Sequence, residues 1–408
     1  MTATTTAPHE RSFLSTILRR AAIAIALVVI MVLPAVVLFV LTRQPSATYA
    51  SLAALIGIVA VAAGGLRVGV ITAIVSALIA PIAIIAGLSP ITGAALMALM
   101  TLTVGRLATF GLHRATMLVP IMMAWPMLTP VPWLPSGLRH EVQSKLATAG
   151  MTVTEAVAHA QAGAGSGSST STVTERVTQA LVQQRMDTHY LTWIMVFFLV
   201  GAIVPVLILP FAMRRMPRPT PTMHPRSETV PYTATITVLA AVATWYCLDH
   251  PKLVAGSFLI ATILVLTQLG NDIQWKLTIE RVLGTLGGVL LLTGLLRLMG
   301  PVSYTDILGI PIPAKIYIVG IVFGVLAVTA KFSPRQWIYY VFIAPAAAML
   351  NAFTAVQATD VGKQRLVDNL VGAALVIIAA VVTMVGARVM NSRHPAEQVT
   401  GPPKVVST

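Results

Sequence analysis

Charged residues and cysteine are scarce in this sequence of 408 residues. Asp, Glu, Lys and Arg make up 10% of the chain, whereas a water-soluble domain of this size carries roughly 25%. Most of the surface of such a chain cannot face water. The single cysteine, Cys247, excludes an intrachain disulfide.

Catalytic motifs are also missing. The sequence has no Walker loop, nucleophile elbow, His/Glu metal motif or Cys-rich metal cluster. A lipid-linked glycosyltransferase, the nearest class of membrane enzyme, would be expected to carry an acid in its first outside loop. The segment 43-RQPSATY-49 has none. We therefore predict that the protein is not an enzyme and that it needs no cofactor or metal.

Long apolar runs dominate what is present. The chain is 56% hydrophobic, and its mean hydropathy is +0.85. The run 21–42 contains no charged residue and is long enough to cross a hydrocarbon core about 30 Å thick. Since only helices and closed barrels satisfy every backbone group in lipid, we predict an all-α polytopic membrane protein.

Twelve apolar runs can be distinguished, six in each half of the chain. The first set is 21–42, 49–64, 68–87, 90–105, 116–135 and 189–212, and the second is 231–248, 252–270, 282–300, 315–330, 336–351 and 366–388. The domain boundaries follow: an N-terminal tail 1–20, a first membrane repeat 21–212 with an outside loop 136–188, a linker 213–230, a second repeat 231–390 and a tail 391–408.

The basic residues predict the orientation. With both termini in the cytoplasm, the inside connections hold 17 of the 27 basic residues and 5 of the 13 acids. The inside balance is then +12 and the outside balance +2, as the positive-inside rule requires. The net charge of +14 is thereby explained without nucleic acid, which we exclude as a partner. We predict a multi-pass protein of a bacterial-type plasma (inner) membrane.

An internal repeat relates the halves. The segment beginning 67-RVGVITAIV matches 281-RVLGTLGGV, 113-HRATMLVPI matches 334-PRQWIYYVF, and 184-QRMDTHYL matches 364-QRLVDNLV. Because each half has an even number of spans, both halves enter the membrane in the same direction. The pattern predicts two parallel repeats about a pseudo-two-fold axis along the membrane normal, with a transport path near their interface.

Four arginines open spans on the predicted cytoplasmic side: Arg67, Arg114, Arg281 and Arg335. One interpretation is that they anchor helices by reaching to lipid headgroups. The other is a basic vestibule that attracts anions. In this second interpretation Gln268 and Asn271, at the end of the eighth run, also contact the anion.

Proton coupling has three candidate carriers. Asp272 ends the eighth run, and Asp249 and His250 end the seventh. An acid at a membrane edge can titrate in an accessible range when it is desolvated. Arg365 and Asp368, three residues apart, are expected to pair with each other. No acid falls clearly at the middle of a predicted run, which disfavours a deeply buried carboxylate relay.

The glycines of 280-ERVLGTLGGVLL-291 suggest a phosphate loop at first sight. The run continues without charge from Val282 to Leu296, so these glycines are predicted to lie in lipid. Gly284 and Gly288 then form a small-xxx-small pair that lets another helix approach closely.

The segments QWKLTIERVLGTLGGVLL, SPRQWIYYVFIAP and QRLVDNLVGAAL resemble the fusaric acid resistance (FUSC-like) and aromatic acid exporter proteins. The resemblance implies two six-helix membrane halves and ion-driven export of small, often aromatic, carboxylates. Many relatives carry a large cytoplasmic domain between the halves, where this chain has only 213–230.

The sequence thus predicts an efflux transporter for small organic anions, with proton coupling. A passive anion channel of similar fold is one alternative, and an envelope scaffold that uses the loop 136–188 is another. The expected partners are a small organic anion and membrane lipids, and the prediction leaves room for a homo-oligomer.

Overall fold

The computed structural model describes most of the membrane-embedded chain. It covers residues 9–131, 133, 183–212, 222–250, 256–267, 269, 274–299, 305–307, 310–312, 314–331, 335–350 and 355–393.

Within these residues the chain forms twelve α-helices and one β-hairpin. In chain order the helices are α1 (His9–Thr42), α2 (Tyr49–Ala86), α3 (Pro90–Ala108), α4 (His113–Thr116), α5 (Leu118–Leu128), α6 (Thr188–Ala212), α7 (Arg226–Asp249), α8 (Gly256–Leu266), α9 (Gln274–Met299), α10 (Ala314–Lys331), α11 (Gln336–Leu350) and α12 (Ala355–Arg393). A 3₁₀ turn spans Pro45–Thr48, and the antiparallel strands β1 (Thr305–Ile307) and β2 (Ile310–Ile312) lie between α9 and α10.

Seven stretches of the described helices are long and apolar enough to cross a membrane. They are Arg19–Thr42, Pro45–Ala86, Pro90–Ala108, Thr188–Phe211, Arg226–Asp249, Lys276–Met299 and Ala358–Val382. Their outer faces carry large apolar side chains: Ile71, Leu290 and Val382 are 62%, 65% and 63% exposed. Such faces suit lipid rather than water. The protein is therefore an α-helical membrane protein, which confirms this part of the sequence prediction.

The twelve predicted runs do not correspond to twelve separate spans by this measure. The runs 49–64 and 68–87 both fall within the stretch Pro45–Ala86. The runs 116–135 and 252–270 correspond to α5 and α8, of 11 residues each. A helix of that length extends about 16 Å, which is shorter than a bilayer core. The number twelve stays a prediction.

A sharp bend divides α2. Gly65 has φ 78° and ψ −178°, a conformation that essentially only glycine adopts. A Cβ atom on Gly69 would lie 2.4 Å from Val61 Cγ2, although eight residues of straight helix extend about 12 Å. The two parts of α2 therefore fold back against each other around Gly65.

Small residues let the helices pack closely in the first half. The most extensive helix contact among the described residues is between α2 and α6. A Cβ on Gly57 would lie 2.3 Å from the Ala202 carbonyl oxygen, and one on Gly201 would lie 2.2 Å from that of Ala50. Glycine at these positions lets the two backbones come into contact.

The second half is built around α9 and α12. α9 packs against α11 and α12, and α8 also packs against α12. α10 contacts α11 and reaches α1 of the first half, whereas α7 packs mainly against α3. The helices that carry the polar residues described below are thus α8, α9, α11 and α12.

Two tyrosines hold the chain that follows α5 against the helices. The backbone N–H of Val131 donates to Tyr49 Oη at 2.7 Å, and Tyr190 Oη donates to the Val131 carbonyl at 2.7 Å. The Gln184 side chain also exchanges hydrogen bonds with the backbone of Trp133. These bonds hold residues 131 and 133, which follow α5, beside residues 184 and 190 near the start of α6.

Candidate functional site

A polar face on α12 brings charged and amide side chains into the apolar interior. Arg365, Asp368 and Asn369 are spaced by three residues and by one, which puts them on one side of the helix. The side chains of Asp368 and Asn369 are buried, with 4% and 2% exposure. Asp368 lies near the centre of the 25-residue apolar stretch Ala358–Val382. The run predicted from the sequence begins at residue 366, which placed Asp368 at its edge rather than clearly inside it.

Arg281 of α9 is joined to this face. It is 8% exposed. Its Nε donates to Asn369 Oδ1 at 3.1 Å, and its Nη2 donates to Thr262 Oγ1 on α8 at 3.0 Å. Asn369 Nδ2 in turn donates to Thr285 Oγ1 at 2.9 Å. Residues of three helices therefore share one buried hydrogen-bond network.

The charge of Arg281 has no acidic partner in this network. Its hydrogen-bond acceptors are an amide and a hydroxyl. Its guanidinium carbon lies 5.3 Å from the ring centroid of Tyr340 on α11, a cation–π contact. No carboxylate forms an ion pair with it among the side chains that the structure describes. A buried charge held by neutral groups is costly unless an anion compensates it.

Arg365 and Asp368 do not form the ion pair that their spacing led us to expect. Asp368 Oδ1 accepts a hydrogen bond from Gln364 at 3.3 Å. The Arg365 guanidinium carbon lies 4.6 Å from the ring centroid of Phe258. Arg365 Nη1 and Asp368 Oδ2 are both buried without a hydrogen-bond partner among the described residues.

We call Arg281, Asn369, Thr262, Thr285, Arg365 and Asp368 the polar cluster. With two guanidinium groups and one carboxylate, it carries a net positive charge when all three are ionised. Hydroxyl and amide groups orient the guanidinium of Arg281, and aromatic rings cover parts of both arginines. Such a site suits a carboxylate, which a guanidinium binds through paired hydrogen bonds.

The four predicted arginines differ in their exposure. Arg281 is buried in the polar cluster, whereas Arg67, Arg114 and Arg335 are exposed. The basic vestibule stays a prediction for these three.

Two of the three predicted proton carriers lie at the end of α7 and not in the polar cluster. Asp249 and His250 are exposed at the end of α7, with His250 Nδ1 3.6 Å from Asp249 Oδ2. The His250 ring stacks on Tyr246 at 4.5 Å. Gln268, Asn271 and Asp272 lie outside the described residues, so their assignment stays a prediction.

Gly284 and Gly288 both lie against α11. A Cβ on Gly284 would meet the Trp337 carbonyl oxygen at 2.6 Å, and one on Gly288 would meet that of Val341 at 2.6 Å. Close approach of α9 and α11 holds Tyr340 beside Arg281, which lies about one helical turn before Gly284 and two turns before Gly288.

A second buried group, outside the candidate spans, is His113 at the start of α4. Its ring centroid lies 5.3 Å from that of His224 and 6.5 Å from that of Tyr232. Neither ring nitrogen has a partner among the described residues. Burial, reinforced by the charges of His224 and Arg114, lowers the pKa of His113 to about 4. His113 is therefore neutral near pH 7.

Sequence reasoning found Arg281 but missed its partners. Thr262, Thr285 and Asn369 are ordinary residues of apolar runs when taken singly. One signal was available: 364-QRLVDN-369 places arginine, acid and amide at helical spacing within a segment that continues as an apolar span.

Comparison with known proteins identifies no relative: no family model, no curated protein and no solved structure matches the chain.

Proposed function

We propose that the protein exports small organic anions across the plasma membrane, as a member of the fusaric acid resistance and aromatic acid exporter group that its second half resembles. In this protein the anion passes near the polar cluster. Proton coupling and passive anion movement are the two ways in which such a carrier or channel could be driven.

The observation that carries the proposal is the buried state of Arg281. At 8% exposure and with neutral hydrogen-bond partners, its positive charge is compensated by no carboxylate among the described residues of this membrane protein. A charge in that position is costly, and charged residues within membrane helices commonly mark substrate or ion pathways. A substrate carboxylate would supply the missing negative charge.

Matched helix contacts support the proposed repeat. α3, the fourth run, packs against α7, the seventh, and α10, the tenth, packs against α1, the first. A pseudo-two-fold operation that exchanges the halves converts one contact into the other. In the same way, the contact of α2 with α6 corresponds to that of α8 with α12. The contacts of α3 with α7 and of α10 with α1 join the two halves, between which the transport path is proposed.

The first half has a related arginine. The repeat aligns Arg185 with Arg365. Burial lowers the pKa of Arg185, and Tyr49 and Tyr190 lie within electrostatic range of its guanidinium. Each half thus holds a half-buried arginine near aromatic side chains.

Transport in proteoliposomes tests the proposal. Purified full-length protein is reconstituted, and efflux of radiolabelled benzoate is measured for the wild type, Arg281→Ala and Arg297→Ala. Arg297 is exposed near the far end of the same helix, so its substitution is the matched control. We expect Arg281→Ala to lower efflux at least about tenfold, since a hydrogen bond to a charged group contributes about 1.5–3 kcal/mol. Wild-type rates in Arg281→Ala would refute the role of this residue.

Two further measurements separate the alternatives. A reversal potential that follows only the anion gradient, with no effect of pH, would identify a passive channel. Removal of residues 150–172 with efflux unchanged would argue against a scaffold function of the outside loop as the main role. Failure of the wild type to move benzoate or other organic anions would overturn the proposed function.

A further inference from the structure

Arg365 and Asp368 are oppositely charged and close in sequence, and each has a buried polar atom, yet they are not paired. Arg365 Nη1 and Asp368 Oδ2 both lack a hydrogen-bond partner among the described residues. Asp368 is 4% exposed, so water does not replace the missing partner to any large extent. Unpaired buried charges are costly, and these two atoms therefore have unused binding capacity.

Their spacing lets the two atoms meet. Residues at positions i and i+3 of a helix are surface neighbours, so a rotamer change of either side chain brings Nη1 and Oδ2 together. A guanidinium edge binds one carboxylate at a time in the bidentate mode. An external carboxylate and Asp368 would consequently compete for Arg365.

We propose that Arg365 binds the carboxylate of a small monocarboxylate and that Asp368 is the internal counter-anion that neutralises Arg365 when the ligand is absent. The assignment rests on the proposed function for the class of ligand. Arg281 lies within electrostatic range of Arg365 and keeps the cluster positive when Asp368 is paired. The Phe258 ring, 4.6 Å from the Arg365 guanidinium carbon, covers one side of the guanidinium, so that its edge is left for the carboxylate.

The competition links anion binding to protons. Protonation of Asp368 removes the competing negative charge, so it strengthens anion binding, and by reciprocity anion binding favours protonation. A proton and an anion bound together would cross in the same direction. Because their charges cancel, this joint movement is electroneutral, and export through this site would be driven by the concentration gradients of the anion and of protons rather than by the membrane potential.

Few other groups can contribute to this pH dependence. Among the described residues, the titratable or charged groups that face the Arg365–Asp368 pair are Cys247 on α7, Arg281 on α9, and Tyr339 and Tyr340 on α11. On α12 itself the neighbours are Gln364 and Arg365, and α8 contributes Phe258 and Thr262, which do not titrate. Cysteine and tyrosine are ordinarily already protonated below about pH 8, so the Asp368 carboxyl group is the one in this set that can gain a proton as the pH falls.

Equilibrium binding of radiolabelled benzoate to the purified full-length protein tests the inference. Benzoate stays ionised above about pH 6 because its carboxyl group has an ordinary acidity. For the wild type we expect about tenfold tighter binding at the acid end of the range than at the alkaline end, which corresponds to about 1.4 kcal/mol. Asp368→Asn should bind benzoate at every pH as tightly as the wild type does at the acid end of the range. Arg365→Gln should bind benzoate at least about tenfold more weakly than Asp368→Asn.

Asp360→Asn is the matched control. Asp360 is exposed on the same helix and lies 3.6 Å from Lys363, so its substitution should leave the pH dependence of the wild type unchanged. Asp368→Ser repeats the test if Asp368→Asn does not fold. The inference is wrong if either Asp368 variant keeps the wild-type pH dependence, if both bind more weakly, or if the wild type does not bind benzoate.

The proposed binding site and the proposed function can be contradicted independently. One outcome is that the protein binds benzoate, and Asp368→Asn removes the pH dependence of binding, but no transport occurs in proteoliposomes. That outcome would contradict the proposed function and support the site. Transport with an Asp368→Asn profile equal to that of the wild type would support the function and contradict the site.

Discussion

Asn369 connects Arg281 to Thr285 through the two ends of its amide. Oδ1 accepts from Arg281 Nε at 3.1 Å, and Nδ2 donates to Thr285 Oγ1 at 2.9 Å. Because the threonine hydroxyl can accept the Nδ2 proton, the amide turns its oxygen towards the arginine. A neutral acceptor thus stands where a carboxylate would cancel the charge of Arg281, and the polar cluster keeps its net positive charge.

Asn369→Asp should separate stability from anion transport. The new carboxylate would pair with Arg281, so we expect the midpoint of thermal unfolding in detergent to stay equal or rise. The same pairing removes the positive charge that an anion needs, and efflux of benzoate should fall at least about tenfold. Unchanged efflux in a stably folded Asn369→Asp protein would contradict the role assigned to Arg281.

Asn369→Leu provides the complementary variant. It removes the acceptor of Arg281 and the donor to Thr285 without adding charge. A buried group that loses its partner costs about 1–3 kcal/mol, and more for a charged one, so the thermal midpoint should fall clearly below that of the wild type. A stability equal to that of the wild type would mean that water or another group replaces the amide.

Two glycines of α9 should respond in opposite ways to the same substitution. A Cβ on Gly288 would meet the Val341 carbonyl oxygen at 2.6 Å and Ala344 Cβ at 2.8 Å. Gly288→Ala must therefore push α11 away, at a cost of about 1–3 kcal/mol. Gly294 has no atom within 4 Å of the same point, so Gly294→Ala should stabilise the helix by up to about 1 kcal/mol. If the midpoints of thermal unfolding of the two variants shift in the same direction, the proposed close packing is refuted.

The sequence predicts helices well here because hydropathy and length alone decide whether a segment can span lipid. It also singles out Arg281, since an arginine at the start of an apolar run is visible locally. The environment of Arg281 is not visible in that way. Its acceptor Asn369 is 88 residues away and Thr262 is 19 residues away, and only the packing of α8, α9 and α12 brings them together.

Asp368 shows more directly that hydropathy alone does not locate the start of a helix with buried polar side chains. Gln364, Arg365 and Asp368 lower the local hydropathy, so the predicted run starts at residue 366 and places the acid at its edge. In the structure the helix already begins at Ala355, and the apolar stretch begins at Ala358. The polar side chains are accommodated because they face other helices rather than lipid, and that choice depends on tertiary contacts.

Gly65→Ala should weaken the reversal within α2. No atom lies within 4 Å of a Cβ at this position, but φ is 78°, so the cost comes from the backbone conformation alone, at about 1–3 kcal/mol. Gly324→Ala is the control, because Gly324 also has open space and lies within the regular helix α10. We expect a lower thermal midpoint for Gly65→Ala only. Equal midpoints would show that α2 accommodates another conformation at residue 65.

Acidification should destabilise the fold through His113. In the unfolded chain His113 binds a proton below its ordinary pKa of 6.5, whereas in the folded protein burial, His224 and Arg114 lower the pKa to about 4. Between these two values the unfolded state holds more protons, so the free energy of unfolding falls as the pH decreases from 6.5 to about 4 and then levels off.

His113→Phe removes this proton and keeps a ring against His224 and Tyr232. Since neither nitrogen of His113 has a partner among the described residues, the variant should be close to the wild type in stability above pH 7 and gain relative to it in acid. The difference in thermal midpoint between the two proteins, measured from about pH 8 to about pH 5, checks the prediction, and a difference that does not change with pH would exclude His113 as the titrating group.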